Sequence, residues 1–146
     1  MIKQLTVVLF CHQNQWFAFE ASLVKGQGSC SFYDPKALLL PFNQFLNQST
    51  AKDKAQQTTH WLRLAAQSTD AKPWLLGIAS EAELIELPAE QIHTLPPHLL
   101  ARRTFPALQA VAWYQQRLVS IIDARVLQGL AHPWLASVTP DASQAE

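Results

Sequence analysis

The sequence is short of most features that announce a function. It has two cysteines in 146 residues, Cys11 and Cys30. Two cannot build a disulfide framework, and neither stands at metal-ligand spacing from other donors. Both read as small apolar residues at or near strands, and free thiols fit a cytoplasmic compartment. Charge is also sparse: 15% of residues are charged, with Lys+Arg 11 against Asp+Glu 11. A nucleic-acid partner would normally call for a basic excess, so none is expected. A net charge of +0 gives little colloidal repulsion and permits association with partners or with further copies of the chain. The N-terminal apolar run LTVVLFC, Leu5 to Cys11, is too short for a signal-peptide core or a membrane span. A cytoplasmic protein without membrane insertion is expected. What is plentiful is apolar surface: hydrophobic residues make up 49%, enough for one domain with a real core and too much for a disordered chain.

Recognisable chemistry is missing too. His12, His60, His93, His98 and His132 are scattered, with none at helical i, i+4 spacing to another ligand type, so no metal site is expected. Cys11 and His12 are adjacent, but successive strand residues point to opposite faces, which denies them the contact a Cys–His nucleophile needs. Glu81, Glu83 and Glu86 lie within one apolar stretch and read as a solvated strand face rather than a convergent acid–base pair. Gly26 and Gly28 in KGQGS belong to no phosphate-binding pattern and read as a turn free to take positive φ. No catalytic residue, cofactor or metal is expected, and the chain reads as a non-enzyme.

What is present is a recurrent alternation of short strands and polar turns. Leu108–Leu130, LQAVAWYQQRLVSIIDARVLQGL, reads as strand, turn at Tyr114-Gln115-Gln116, strand, then a helix capped by Asp123 and ended near Gly129. The N-terminus has the same layout, VVLF–CHQNQ–WFAFEASLV, which suggests two similar β units. Between them, Cys30–Tyr33 reads as a short strand, and Asp34-Pro35 would cap a helical turn through Ala37–Leu40. Pro41 halts that turn, and Phe42, Phe45 and Leu46 then offer an i, i+3, i+4 apolar face. Residues 47–59 read as an exposed loop. His60–Ala66 reads as a strand, and Trp74–Ile78 with Ala82–Leu87 as a strand pair. Pro88, Pro96 and Pro97 bracket an extended edge segment, QIHTL. Residues 138–146 read as a disordered tail. In the terminal hairpins both faces of each strand are apolar: Leu5, Val7 and Leu9 alternate with Val8 and Phe10. Such strands belong between two packed barrels rather than on the wall of a single exposed one.

Three stretches, in order, resemble the CheW-like domain, the adaptor fold of bacterial chemosensory signalling. They are VVLFCHQNQWFAFEASLVKG, PWLLGIASEAELIELPAEQIHTLPP and ALQAVAWYQQRLVSIIDARVLQGL, about two-thirds of the chain. The resemblance implies a mainly β fold of two packed, small SH3-like β-barrels with short helices, a single domain over residues 1–137. It further implies a non-catalytic adaptor that docks the regulatory domain of a CheA-type histidine kinase, a chemoreceptor cytoplasmic tip, or another scaffold protein, in a system that could control type IV pili or surface motility. Such adaptors work through edge-strand and groove contacts. One departure stands out. The family's asparagine-x-arginine-glycine element, part of its receptor-facing surface, is absent from Ser29–Leu46, SCSFYDPKALLLPFNQFL. The chain is therefore a divergent member by resemblance, and no receptor-contacting residue carries over. The aromatic cluster there, Phe32, Tyr33, Pro41 and Phe42, either plugs the first barrel's core or anchors a partner in place of the lost element. At least one of Phe32, Tyr33 and Phe42 is expected to be exposed.

The alternative is a small enzyme or ligand-binding barrel with a site between the halves, built from polar groups around Cys30, His60 or His93.

Overall fold

The computed structural model describes residues 3–30, 38–46, 58–65, 74–96 and 105–132. The strands are β1 (Gln4–His12), β2 (Gln15–Glu20), β3 (Val24–Ser29), β4 (Leu38–Pro41) and β5 (His60–Leu64), followed by β6 (Trp74–Ile78), β7 (Glu83–Pro88), β8 (Ile92–Thr94), β9 (Leu108–Tyr114) and β10 (Arg117–Ile122). A short helix, α1 (Phe42–Leu46), follows β4, and a second, α2, runs over residues 124–132. One sheet has the order β7-β1-β2-β10-β9-β8 and the other β3-β5-β6-β4. All neighbours are antiparallel except two parallel pairs, β2 with β10 and β4 with β6.

Both terminal hairpins turn in two residues, Gln13-Asn14 and Gln115-Gln116, all four with φ between 51° and 66°. Two consecutive positive φ values are the mark of the turn whose twist matches that of paired strands. The repetition read from the sequence extends to the corners. After β2, the 3-10 turn Ala21–Leu23 leads into β3; after β7, the 3-10 turn Ala89–Gln91 leads into β8. The flanking dihedrals nearly coincide: φ −60°, ψ 129° at Glu20 against φ −61°, ψ 138° at Pro88. The second corner has a large consequence. β7 and β8 are the two outer strands of the six-stranded sheet, and three residues join them, so the sheet curls round and its outer strands approach at that corner.

Strand alternation then fills two cores. Inside the curled sheet lie Val7 and Leu9 of β1, Ala18 of β2, Ile85 and Leu87 of β7, and Val119 and Ile121 of β10. The opposite face of β1 and β2 presents Val8, Phe10, Phe17 and Phe19 to the four-stranded sheet, where Leu62, Leu76 and Ile78 meet them, with Phe42 of α1 and Leu127 of α2. Val7 through Phe10 are each at most 5% exposed, so β1 is buried on both sides as its unbroken apolar run demands. Each large side chain so enclosed contributes roughly 1.5–3 kcal/mol. The Asp123 carboxylate accepts hydrogen bonds from the amides of Arg125 (2.9 Å) and Val126 (3.4 Å), the expected cap of α2. The Gln128 side-chain amide donates to the carbonyl of Ala65 and ties α2 to the end of β5.

Four expectations are corrected. Lys25–Ser29 is strand, paired with β5, and no glycine among the described residues has positive φ. Gly28 lies opposite Trp61, and a Cβ there would come within 2.7 Å of the indole; glycine serves close approach, not a turn. Leu38–Leu40 is not helical: it is strand in register with Trp74–Leu76, and the tertiary partner overrides the local cap signal. Trp74–Ile78 and Glu83–Pro88 do not pair with each other but belong to different sheets. The last helix passes through Gly129 because the apolar stripe Ala124, Leu127, Ala131 continues beyond it. The edge segment is as expected, with β8 at the sheet margin. Cys30 lies in a turn, while residues 31–37, 47–57 and 133–146, with most of the expected loop and the tail, lie outside the described residues.

Candidate functional site

The aromatic cluster proposed from sequence divides. Phe32 and Tyr33 lie outside the described residues, and Pro41 is half-buried at the end of β4. Phe42 is corrected: at 1% exposure it is a core residue. Pro41 ends the strand and turns the chain into α1, which drops the Phe42 ring between the sheets. There it meets Phe17 at 4.8 Å and Phe10 at 5.0 Å between ring centroids. A ring so enclosed cannot touch a partner.

The buried polar groups among the described residues are His12 and Asn43. His12 Nε2 stands 3.2 Å from Asn43 Oδ1, and its Nδ1 has no hydrogen-bond partner among the described residues. Phe17 and Phe42 present their rings to the imidazole. Burial pushes the His12 pKa below its ordinary value, and the Asn43 hydrogen bond opposes this only in part. The pair serves the core: it links the end of β1 to α1, and the space beside it among the described residues has no room for a substrate.

The groups named for the enzymatic alternative do not converge. The amide of Cys30 donates to the carbonyl of Thr59 (2.9 Å), while Ser29 lies opposite His60. Cys30 and His60 therefore occupy successive rungs and point to opposite faces. His60 Nδ1 lies 2.8 Å from the Thr59 hydroxyl, and His93 is exposed on β8, in the other sheet. Burial pushes the Cys30 thiol up, the reverse of what a nucleophile needs. Among the described residues no three His, Cys, Asp or Glu side chains gather as a metal site, and no helix is long and apolar enough to cross a membrane.

The surface with most to offer lies elsewhere. Because β2 and β10 run parallel, the two hairpin turns that precede them emerge side by side at one end of the sheet. Trp113 and Leu118 face each other across β9 and β10, each 52% exposed. Arg117 lies over the Trp16 ring, 4.4 Å from its centroid. Asn14, Gln15, Trp16, Arg117, Leu118 and Ser120 line an open depression of about 440 Å³. Strand phase could have pointed to it: Val119 and Ile121 face the core, so Leu118 between turn and core points outward.

No family model matches the sequence, and no curated protein matches it. In structure the chain is similar to the scaffolding protein TtCheW from Thermoanaerobacter tengcongensis, with a TM-score of 0.57 and 11% identity. The match covers 82% of this chain and 89% of that one. The mainly β chain with its two sheets, two cores and short helices thus has a divergent CheW-like fold.

Proposed function

We propose that the protein is a non-catalytic adaptor in bacterial chemosensory signal transduction, acting in the cytoplasm by docking the regulatory domain of a CheA-type histidine kinase. A chemoreceptor tip or another scaffold is its second partner. The observation that supports this best is the CheW-like pair of cores built on the two faces of β1 and β2, a layout similar to that of a protein described as a scaffold. The separation of the Cys30, His60 and His93 positions favours the adaptor over the enzyme. The absent arginine-glycine element fits a specialised member, one serving a pilus or surface-motility system. Phe32, Tyr33 and Pro41 remain proposed contacts, and Phe42 is withdrawn.

Titration calorimetry of the full chain against the purified regulatory domain of a chemosensory histidine kinase from the same organism tests the reading. Binding tighter than about 100 μM, roughly −5.5 kcal/mol, is expected. No heat of binding to that domain, and none to a receptor-tip fragment, would rule the adaptor reading out.

A further inference from the structure

We propose that the end of the six-stranded sheet where the two hairpin turns meet is a docking surface for an extended segment of a protein partner, one that bears a carboxylate beside a large apolar side chain. This deepens the adaptor reading and rests on it only in taking the occupant to be a protein.

Three observations bear on that end of the sheet, where Arg117 and Leu118, on alternate sides of β10, both line the depression. The first is backbone conformation. Gln13, Gln115 and Gln116 hold positive φ, a region where glycine is unstrained and a glutamine is not. Strain held at a surface turn, where any hairpin would be served by glycine or asparagine, points to use of the side chains. Carboxamides donate and accept at once, which suits them to the peptide groups of an extended chain. The second is apolar exposure. Trp113 and Leu118 form a cross-strand pair that packs into neither core. A large aromatic beside an aliphatic is the composition of an interface centre.

The third is charge. Among the described residues Arg117 is the one charged side chain that lines the depression, and no carboxylate lines it. Its guanidinium lies over the Trp16 ring, 4.4 Å from the centroid, and forms no ion pair among the described residues. A guanidinium stacked on an indole and free of ion pairs keeps its fork of donors for an incoming carboxylate. The depression is open and lies across the starts of two parallel strands, so it accepts a strand-like segment rather than an enclosed small molecule.

Selection of phage-displayed random heptapeptides on the full-length chain tests the proposal, with selected peptides remade and measured by fluorescence anisotropy. Enrichment of Asp or Glu within two positions of Leu, Phe or Trp is expected. Arg117→Glu should weaken the selected peptides at least tenfold with an unchanged near-ultraviolet circular dichroism spectrum, and added salt should weaken the wild type. The double variant Gln115→Asn/Gln116→Gly should melt at a higher temperature than the wild type yet bind the peptides several-fold less tightly. That pairing separates a functional role from a structural one.

The proposal is overturned by no enrichment, by enrichment without acidic residues, or by affinities that Arg117→Glu leaves unchanged. It is also overturned if sedimentation shows that this face joins copies of the chain and no peptide binds. Kinase-domain binding by the wild type is scored separately. Peptide recognition without it keeps this surface and removes the adaptor reading, while kinase binding without peptide recognition does the reverse.

Discussion

His12 sits at 3% exposure among aromatic rings, with one ring nitrogen bonded to Asn43 and the other unpartnered among the described residues. A proton arriving on Nδ1 would create a buried donor with nothing to accept from it, and a buried charge besides. The folded chain therefore binds that proton less readily than the unfolded chain, whose histidine titrates near 6.5. Stability from the neutral ring is complete above that value and is lost as pH falls through it towards the lowered pKa of the folded state. In urea unfolding followed by fluorescence, the midpoint should be flat above about pH 7.5 and decline from about pH 6.5 downward. His12→Phe should flatten the decline. An equally steep decline in that variant would place the acid sensitivity elsewhere. At this scale the sequence was partly legible. Adjacency was enough to set Cys11 and His12 on opposite faces. It was not enough to place Phe42, because aromatic residues beside a proline suit a core and an interface equally.

At the scale of elements, strand pairing decided what local signals left ambiguous. Lys25–Ser29 carries two glycines and reads as a turn, yet pairing with β5 makes it strand and lets Trp61 lie across Gly28, its indole donating to the carbonyl of Ser29 (3.0 Å). Leu38–Pro41 becomes strand because β6 stands ready as a parallel partner. Gly129 shows the converse. Glycine is a common helix terminator, but here the apolar stripe on either side of it carries α2 onward. A Cβ at Gly129 would meet nothing within 4 Å. Gly129→Ala should therefore stabilise the protein by about 0.5–1 kcal/mol, chiefly by restricting the unfolded chain. Thermal unfolding by circular dichroism should show a rise of roughly 2–4 °C. A fall would mean that residue 129 is not in a helix interior.

At the scale of the whole molecule, β1 and β2 are common property of both cores. Val7 and Val8 are neighbours in sequence, yet one points into the curled sheet and the other towards the four-stranded sheet. Neither core can be dismantled without exposing the far side of the same two strands, so the two halves should unfold together. Val7→Ala and Val8→Ala should each cost roughly 1–3 kcal/mol, and each should shift a single transition seen alike by far-ultraviolet circular dichroism and tryptophan emission. Two separated transitions, or a probe blind to one substitution, would show the barrels to be independent.

The sequence by itself determined the mainly β class, the matching terminal hairpins, the Asp123 cap and the double-sided burial of β1. Each of these follows from short-range periodicity and the chemistry of a few adjacent residues. Only the tertiary structure decided that β2 and β10 run side by side in parallel, that β7 and β8 meet at the corner Ala89–Gln91, and that Phe42 faces inward. Those outcomes depend on pairings between segments far apart in the chain, whose energy comes from cross-strand packing that no local window contains. The exposed end with Trp113, Arg117 and Leu118 is a product of the same pairing, because the parallel contact brings the two turns together.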